Sequence, residues 1–182
     1  GVHRDPERQG YSRGMYGYEI RMHFYAGQAL VRLDAVLTNA FAKPIGSPTF
    51  EDWSLVLRLA HKGAATLHGD RAHHAGLKDG ESVVMYQGSN GTQTWQTNCG
   101  LRGRRAEDRP KPQFRGYRVI LKGKGGEKVL ANGDHSRGLA KINTGNYGLV
   151  VVPRYFWQLF PKAIEIGRDG TARIGIFPRE YN

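Results

Sequence analysis

The chain has 182 residues, 39% of them hydrophobic and 10% aromatic, with 27 basic against 16 acidic side chains for a net charge of +11. This composition suits a globular domain with a core of its own, and no run approaches the roughly 18 apolar residues of a membrane-spanning helix. The lone cysteine, Cys99, excludes an internal disulfide and a four-cysteine zinc site.

Along the chain, strand signals dominate. The polar opening, Gly1-Val2-His3-Arg4-Asp5-Pro6, contains no cleavable signal peptide. Residues 1–16 read as a lead-in or the remnant of a preceding domain, and residues 17–182 as one β-domain. Glu19 to Tyr25 alternates, with Ile20, Met22 and Phe24 on one face and Arg21, His23 and Tyr25 on the other. Ala26-Gly27 turns the chain, and Gln28 to Thr38 alternates again, burying Val31, Leu33, Ala35 and Leu37, so the pair predicts a long β-hairpin. Trp53 to Ala60 is a strand with Trp53, Leu55, Leu57 and Leu59 in phase. Further strands are predicted at Ser82–Gln87, Tyr117–Lys122, Leu149–Val152, Lys162–Ile166 and Thr171–Phe177, the last two closed by an Asp169-Gly170 turn.

No window of a dozen residues has a 3.6-residue period, although Ser136–Lys141 and Tyr155–Phe160 could each hold one helical turn. Many short strands punctuated by 25 Gly and 8 Pro predict an all-β, antiparallel β-sandwich of supersandwich type. The segments 40–48, 63–80, 88–112 and 123–146 read as long loops, where binding sites on rigid sandwiches usually lie.

Several groups carry chemistry. Between Leu101 and Lys128 the cations Arg102, Arg104, Arg105, Arg109, Lys111, Arg115, Arg118, Lys122, Lys124 and Lys128 outnumber Glu107, Asp108 and Glu127. Such a field favours a polyanion: an anionic polysaccharide, an acidic neighbouring domain or, weaker than the polysaccharide, nucleic acid. No helix-turn-helix, RNA-recognition or zinc-finger pattern accompanies it. His68, Asp70, His73 and His74 invite a metal, but adjacent histidines on an extended backbone point apart, so no metal site is assigned. Asn132-Gly133-Asp134-His135-Ser136-Arg137-Gly138 pairs a potential base with a cation, and Ser136 lacks a nucleophile elbow. Two aromatic groups, Tyr86-Gln87-Gly88-Ser89-Asn90-Gly91 with Trp95, and Arg154-Tyr155-Phe156-Trp157-Gln158-Leu159-Phe160-Pro161-Lys162, combine ring faces with amides and cations suited to acidic sugars.

These runs, with Phe24-Tyr25-Ala26-Gly27 before them and Phe114-Arg115-Gly116-Tyr117-Arg118-Val119 between them, resemble the central β-sandwich domain of the exo-rhamnogalacturonan lyase and YetA-like polysaccharide lyase family over roughly residues 17 to 180. The Phe-Trp-Gln-x-Phe-Pro-Lys-Ala run is the most specific element. Ser136-Arg137-Gly138-Leu139-Ala140-Lys141 departs from the pattern by lacking an expected Trp. The resemblance implies β-elimination on a uronic-acid-containing polysaccharide of rhamnogalacturonan or ulvan type. It also implies a neighbouring N-terminal β-domain and a C-terminal α/α toroid, an extracellular or periplasmic location, and no cofactor beyond a structural or substrate-bridging calcium. Under that reading the catalytic candidates are His135, Tyr117 and Arg137, and the substrate-binding candidates are Arg154, Trp157, Trp95, Gln87 and Lys162. The competing readings are a non-catalytic carbohydrate-binding or interdomain scaffold module and a basic nucleic-acid-binding β-domain.

Overall fold

The computed structural model describes residues 2–3, 16–39, 52–60, 63–96, 112–143 and 147–179. Cys99, the basic run Arg102–Lys111 and the loop at 40–48 lie outside them. The chain forms two compact units, Gly1–Thr49 and Phe50–Asn182.

In the first unit, β1 (Val2–His3), β2 (Tyr16–Phe24) and β3 (Val31–Asn39) form an antiparallel sheet in the order β1-β2-β3. Gly27 closes the β2–β3 hairpin at φ 73°, the left-handed conformation that glycine adopts without a Cβ penalty, and Gln28 N donates to Tyr25 O at 3.1 Å. The register sets Tyr18, Ile20, Met22 and Phe24 opposite Leu37, Ala35, Leu33 and Val31, so the alternation seen in the sequence becomes one apolar face. Val31, expected to be buried, is exposed. The unit boundary falls after this hairpin rather than before it.

The second unit is an antiparallel sandwich, as the sequence predicted. One sheet has six strands in the order β4-β13-β12-β7-β8-β9. These are β4 (Trp53–Arg58), β7 (Ser82–Gln87), β8 (Tyr117–Gly123), β9 (Gly126–Gly133), β12 (Lys162–Gly167) and β13 (Thr171–Phe177). The other has four, ordered β11-β10-β5-β6, from β5 (Ala64–His68), β6 (Ala72–Ala75), β10 (Leu139–Asn143) and β11 (Gly148–Val151). The main core lies between them. Ala65, Leu67, Ala75, Ala140 and Ile142 from the small sheet meet Val83, Met85, Tyr117, Val119, Ile164, Ile166 and Ala172 from the large one. A smaller cluster of Val84, Tyr86, Phe114 and Ala163 lies on the other face of the large sheet, where the Phe114 ring meets Tyr86 edge-on at 5.4 Å and Arg118 lies 4.1 Å over its face.

Five strands were not foreseen: β1 lies in the segment read as a lead-in, β5 and β6 arise within the segment read as a loop at 63–80, and β9 and β10 within that at 123–146. The turn expected at 136–141 is instead a connection leading into β10, whereas Tyr155–Phe160 does wind one turn, with Leu159 N bonded to Tyr155 O at 2.9 Å. The Asp169-Gly170 turn is present, with Gly170 at φ 88° and Asp169 Oδ1 accepting from Thr171 N at 3.0 Å. Among the described residues no helix is long and apolar enough to cross a membrane.

Candidate functional site

Strand pairing gathers the chemistry-bearing loops at one end of the sandwich. Gln87, at the end of β7, pairs with Tyr117 at the start of β8 and with Lys162 at the start of β12. Tyr117 in turn pairs with Gly133 at the end of β9, while Ala140 near the start of β10 pairs with Val151 at the end of β11. Two connections therefore cross between the sheets at this end. Residues 134–138 lead from β9 to β10, and residues 152–161 lead from β11 to β12. The first carries His135 and Arg137; the second is the aromatic run.

The crossings approach closely. Gly138, at φ 64°, lies so near Phe156 that a Cβ there would fall 2.2 Å from the Phe156 Cβ. Phe156 is 2% exposed and plugs the end of the core, while Tyr155 before it takes φ 54°, a left-handed conformation rare for a bulky residue. With Phe156 turned inward, Tyr155 stays exposed and Trp157 half-buried.

Between the crossings lies an open pocket of about 410 Å³, lined by residues 135–137 and 152–158. Its cations are Arg137 and Arg154, and none of its lining side chains is acidic. The His135 ring stacks on the Trp157 indole, with centroids 4.2 Å apart and planes tilted by 32°. His135 Nε2 lies 2.9 Å from Asn90 O. A carbonyl only accepts, so Nε2 carries the proton of the neutral ring and Nδ1 keeps the lone pair. The Arg154 guanidinium lies 4.6 Å over the Tyr155 ring and donates to the Tyr155 hydroxyl at 2.8 Å. The pocket thus combines a ring face, two guanidiniums, a phenol and an imidazole with a free basic nitrogen.

Of the sequence-predicted residues, His135, Arg137, Arg154 and Trp157 come together here. The other four do not line the pocket. Tyr117 is buried in the core, where its hydroxyl bonds to the Asp70 carboxylate and accepts from Asp70 N at 3.0 Å. Burial, then the Asp70 contact, pushes the phenol up, and the same hydrogen bond holds the Asp70 carboxyl below its usual range. The expectation that Tyr117 faces substrate is therefore corrected, because β8 points it between the sheets. Gln87 is likewise enclosed, with all its polar atoms bonded within the protein. Lys162 pairs with Gln87 in the ladder and is partly buried, which lowers its ammonium pKa. Trp95 sits half-buried on the turn after Asn90-Gly91, its N donating to Thr92 O at 3.2 Å.

Tyr155, named in the aromatic run but given no role of its own in the sequence, also lines the pocket; its place beside Arg154 was the available signal. Among the described residues no three His, Cys, Asp or Glu side chains converge as for a metal. His74 Nδ1 meets Thr66 Oγ1 at 3.1 Å, and His73 Nε2 lies 3.9 Å from Asp70 on the opposite face of β6. No family model, curated protein or solved structure matches this chain.

Proposed function

We propose that this chain is the β-sandwich part of a polysaccharide lyase and binds uronate residues of an anionic polysaccharide in the pocket between its two crossings. The observation that carries this reading is the convergence of His135, Arg137, Arg154 and Trp157 on one open, acid-free pocket. One face of the Trp157 indole is taken by His135, and its pocket-lining edge can offer apolar surface to the C–H groups of a sugar ring, while the guanidiniums can each grip a carboxylate through two parallel hydrogen bonds. β-Elimination begins by removing the proton on the carbon next to the carboxylate, and His135 Nδ1 is the basic atom available for it. Charge then builds on the carboxylate as an enolate-like system, where an arginine stabilises it most. The electron pair forms a carbon–carbon double bond as the glycosidic carbon–oxygen bond breaks, and the leaving oxygen takes a proton. Tyr155, which lines the pocket and whose hydroxyl accepts from Arg154, is suited to give that proton.

The family resemblance supports a cleft completed by neighbouring domains and an extracellular or periplasmic setting, so the isolated chain is expected to bind with little or no turnover. Calorimetry with oligogalacturonate, rhamnogalacturonan and ulvan fragments, alongside ultraviolet detection of unsaturated products, tests this. Arg154→Ala and Trp157→Ala should each weaken binding about 10-fold or more, the effect of losing one charged or aromatic anchor. Equal affinity for neutral and uronate oligosaccharides would sink the proposal. Exposed Leu159 beside the pocket favours the scaffold reading, under which no saccharide binds and Leu159 packs on a neighbouring domain. Salt-sensitive DNA binding without uronate preference would favour the nucleic-acid reading.

A further inference from the structure

The Gln87 side chain does not itself line the pocket, yet its contacts surround the pocket's imidazole. It is 0% exposed. Its Nε2 donates to Ser89 O at 2.7 Å and to Asp134 O at 2.9 Å, and its Oε1 accepts from Ser136 N at 3.0 Å. Asp134 and Ser136 are the two neighbours of His135. Ser89 precedes Asn90, whose carbonyl takes the His135 Nε2 proton. One amide at the end of β7 therefore fastens the His135 backbone on both sides and the loop that meets the His135 ring.

We infer that Gln87 is the positioning residue of this site, fixing the His135 tautomer by holding Asn90 O and the His135 backbone at a set separation. The chemistry of the side chain is specific to this task. Only a primary amide offers two N–H groups and a carbonyl in one plane, matching two backbone carbonyls and one backbone N–H. A glutamate of the same shape would set an acceptor against two carbonyls, and a methionine would leave three backbone groups without partners in a closed space. With the clamp intact, Nε2 is held on Asn90 O and Nδ1 keeps the lone pair that the proposed base needs. Without it, His135 can turn, and either nitrogen can hold the proton. The inference rests on the proposed lyase reading for its functional meaning, but not for its geometry.

The test uses the full chain with ¹⁵N-labelled histidine. In the wild type, long-range ¹H–¹⁵N spectra should show His135 as the Nε2–H tautomer, and the Ser136 amide should exchange slowly with solvent. In Gln87→Met, if folded by near-ultraviolet dichroism, the tautomer should become mixed. The Ser136 amide should exchange on the order of 10-fold faster, the consequence of one lost buried hydrogen bond. Oligogalacturonate affinity should fall with it. Should Gln87→Met fail to fold, the wild-type spectra decide alone. An Nδ1–H tautomer or a fast-exchanging Ser136 amide in the wild type would overturn the inference, as would an unchanged tautomer in a folded Gln87→Met. Absence of oligogalacturonate binding by the wild type would instead remove the lyase reading and leave the tautomer result standing.

Discussion

Gly138→Ala perturbs the closest approach in the site. Gly138 adopts φ 64°, which costs an L-residue about 1–2 kcal/mol. The added methyl would also lie 2.2 Å from Phe156 Cβ and 2.4 Å from its Cγ, well inside van der Waals contact. Phe156 cannot swing away freely, because it is 2% exposed and belongs to the main core. Forcing such an overlap costs about 1–3 kcal/mol more, giving roughly 2–5 kcal/mol in all. In a domain of this size each kcal/mol lowers the melting temperature by about 2–4 °C, so the variant should melt roughly 4–20 °C below the wild type. The control is Gly76→Ala, where an added Cβ meets nothing within 4 Å and the backbone needs no positive φ, and stability should stay within about 0.5 kcal/mol. Differential scanning calorimetry reads both. A Gly138→Ala melting point within about 2 °C of the wild type would refute the close packing of the two crossings, a shift that small corresponding to under 1 kcal/mol.

Tyr117→Phe should lower stability by about 1–2 kcal/mol in urea titration, because it removes the hydroxyl that ties Asp70 to the core. It should leave saccharide affinity unchanged; a large affinity loss would return Tyr117 to the site. Lys162→Met should stabilise the fold by roughly 0.5–1 kcal/mol, since burial disfavours the ammonium; a lower urea midpoint would mean that the charge has a partner worth keeping. The fold should also weaken in acid. Burial pushes the Glu165 carboxyl up, but the Ser82 hydroxyl and the Arg173 guanidinium outweigh it and hold the group below its ordinary 4.5. Its stabilisation is present above that value and lost as pH falls through the lower, folded one. His73, held below 6.5 chiefly by burial, adds a loss that begins once the unfolded chain protonates near that pH. Urea midpoints measured from pH 7 to 3 should fall throughout, and Glu165→Gln should flatten the lower part of the curve; an unchanged slope there would exclude Glu165 as a contributor.

Five of the six strands of the large sheet were legible because they are rich in big apolar side chains, as in Trp53-Ser-Leu-Val-Leu-Arg and the run Ser82-Val-Val-Met-Tyr-Gln. Of the small sheet only β11 was. β5 and β6 read Ala-Ala-Thr-Leu-His and Ala-His-His-Ala, with Leu67 the only large apolar residue between them. Alanine carries little strand preference of its own, and these strands are held by partners distant in sequence, Leu139 pairing with His68 and Ile142 with Ala65. Their smallness has a packing reason. Across the interface stand Met85 and Tyr117, and Phe156 plugs the end of the core, so large side chains opposite fill the volume that the alanines of β5 and β6 leave. β9 was hidden differently, since Gly126-Glu-Lys opens it and a register shift between Val119 and Ile120 breaks its match to β8.

The same error governed how the site was read. Taking 123–146 as one long loop set His135 far from any strand, whereas β9 and β10 reduce its surroundings to the five residues 134–138 strung between two sheets. A short crossing has few conformations, and its polar groups must be satisfied by the strands it leaves and enters. Gln87 then follows as a consequence. It lies at the end of a central strand, where the backbones around Ser89, Asp134 and Ser136 all need partners at once. Sequence reasoning could see an amide among aromatics and aim it at a sugar; it could not see that three backbone groups had a prior claim. The aromatic run divides in the same way. Phe156 serves the core and Trp157 the pocket, and the positive φ at Tyr155, which no residue type in the run announces, accompanies that division. Ring placement, and with it the open face on which the binding proposal rests, is thus set by the crossing's backbone rather than by its composition.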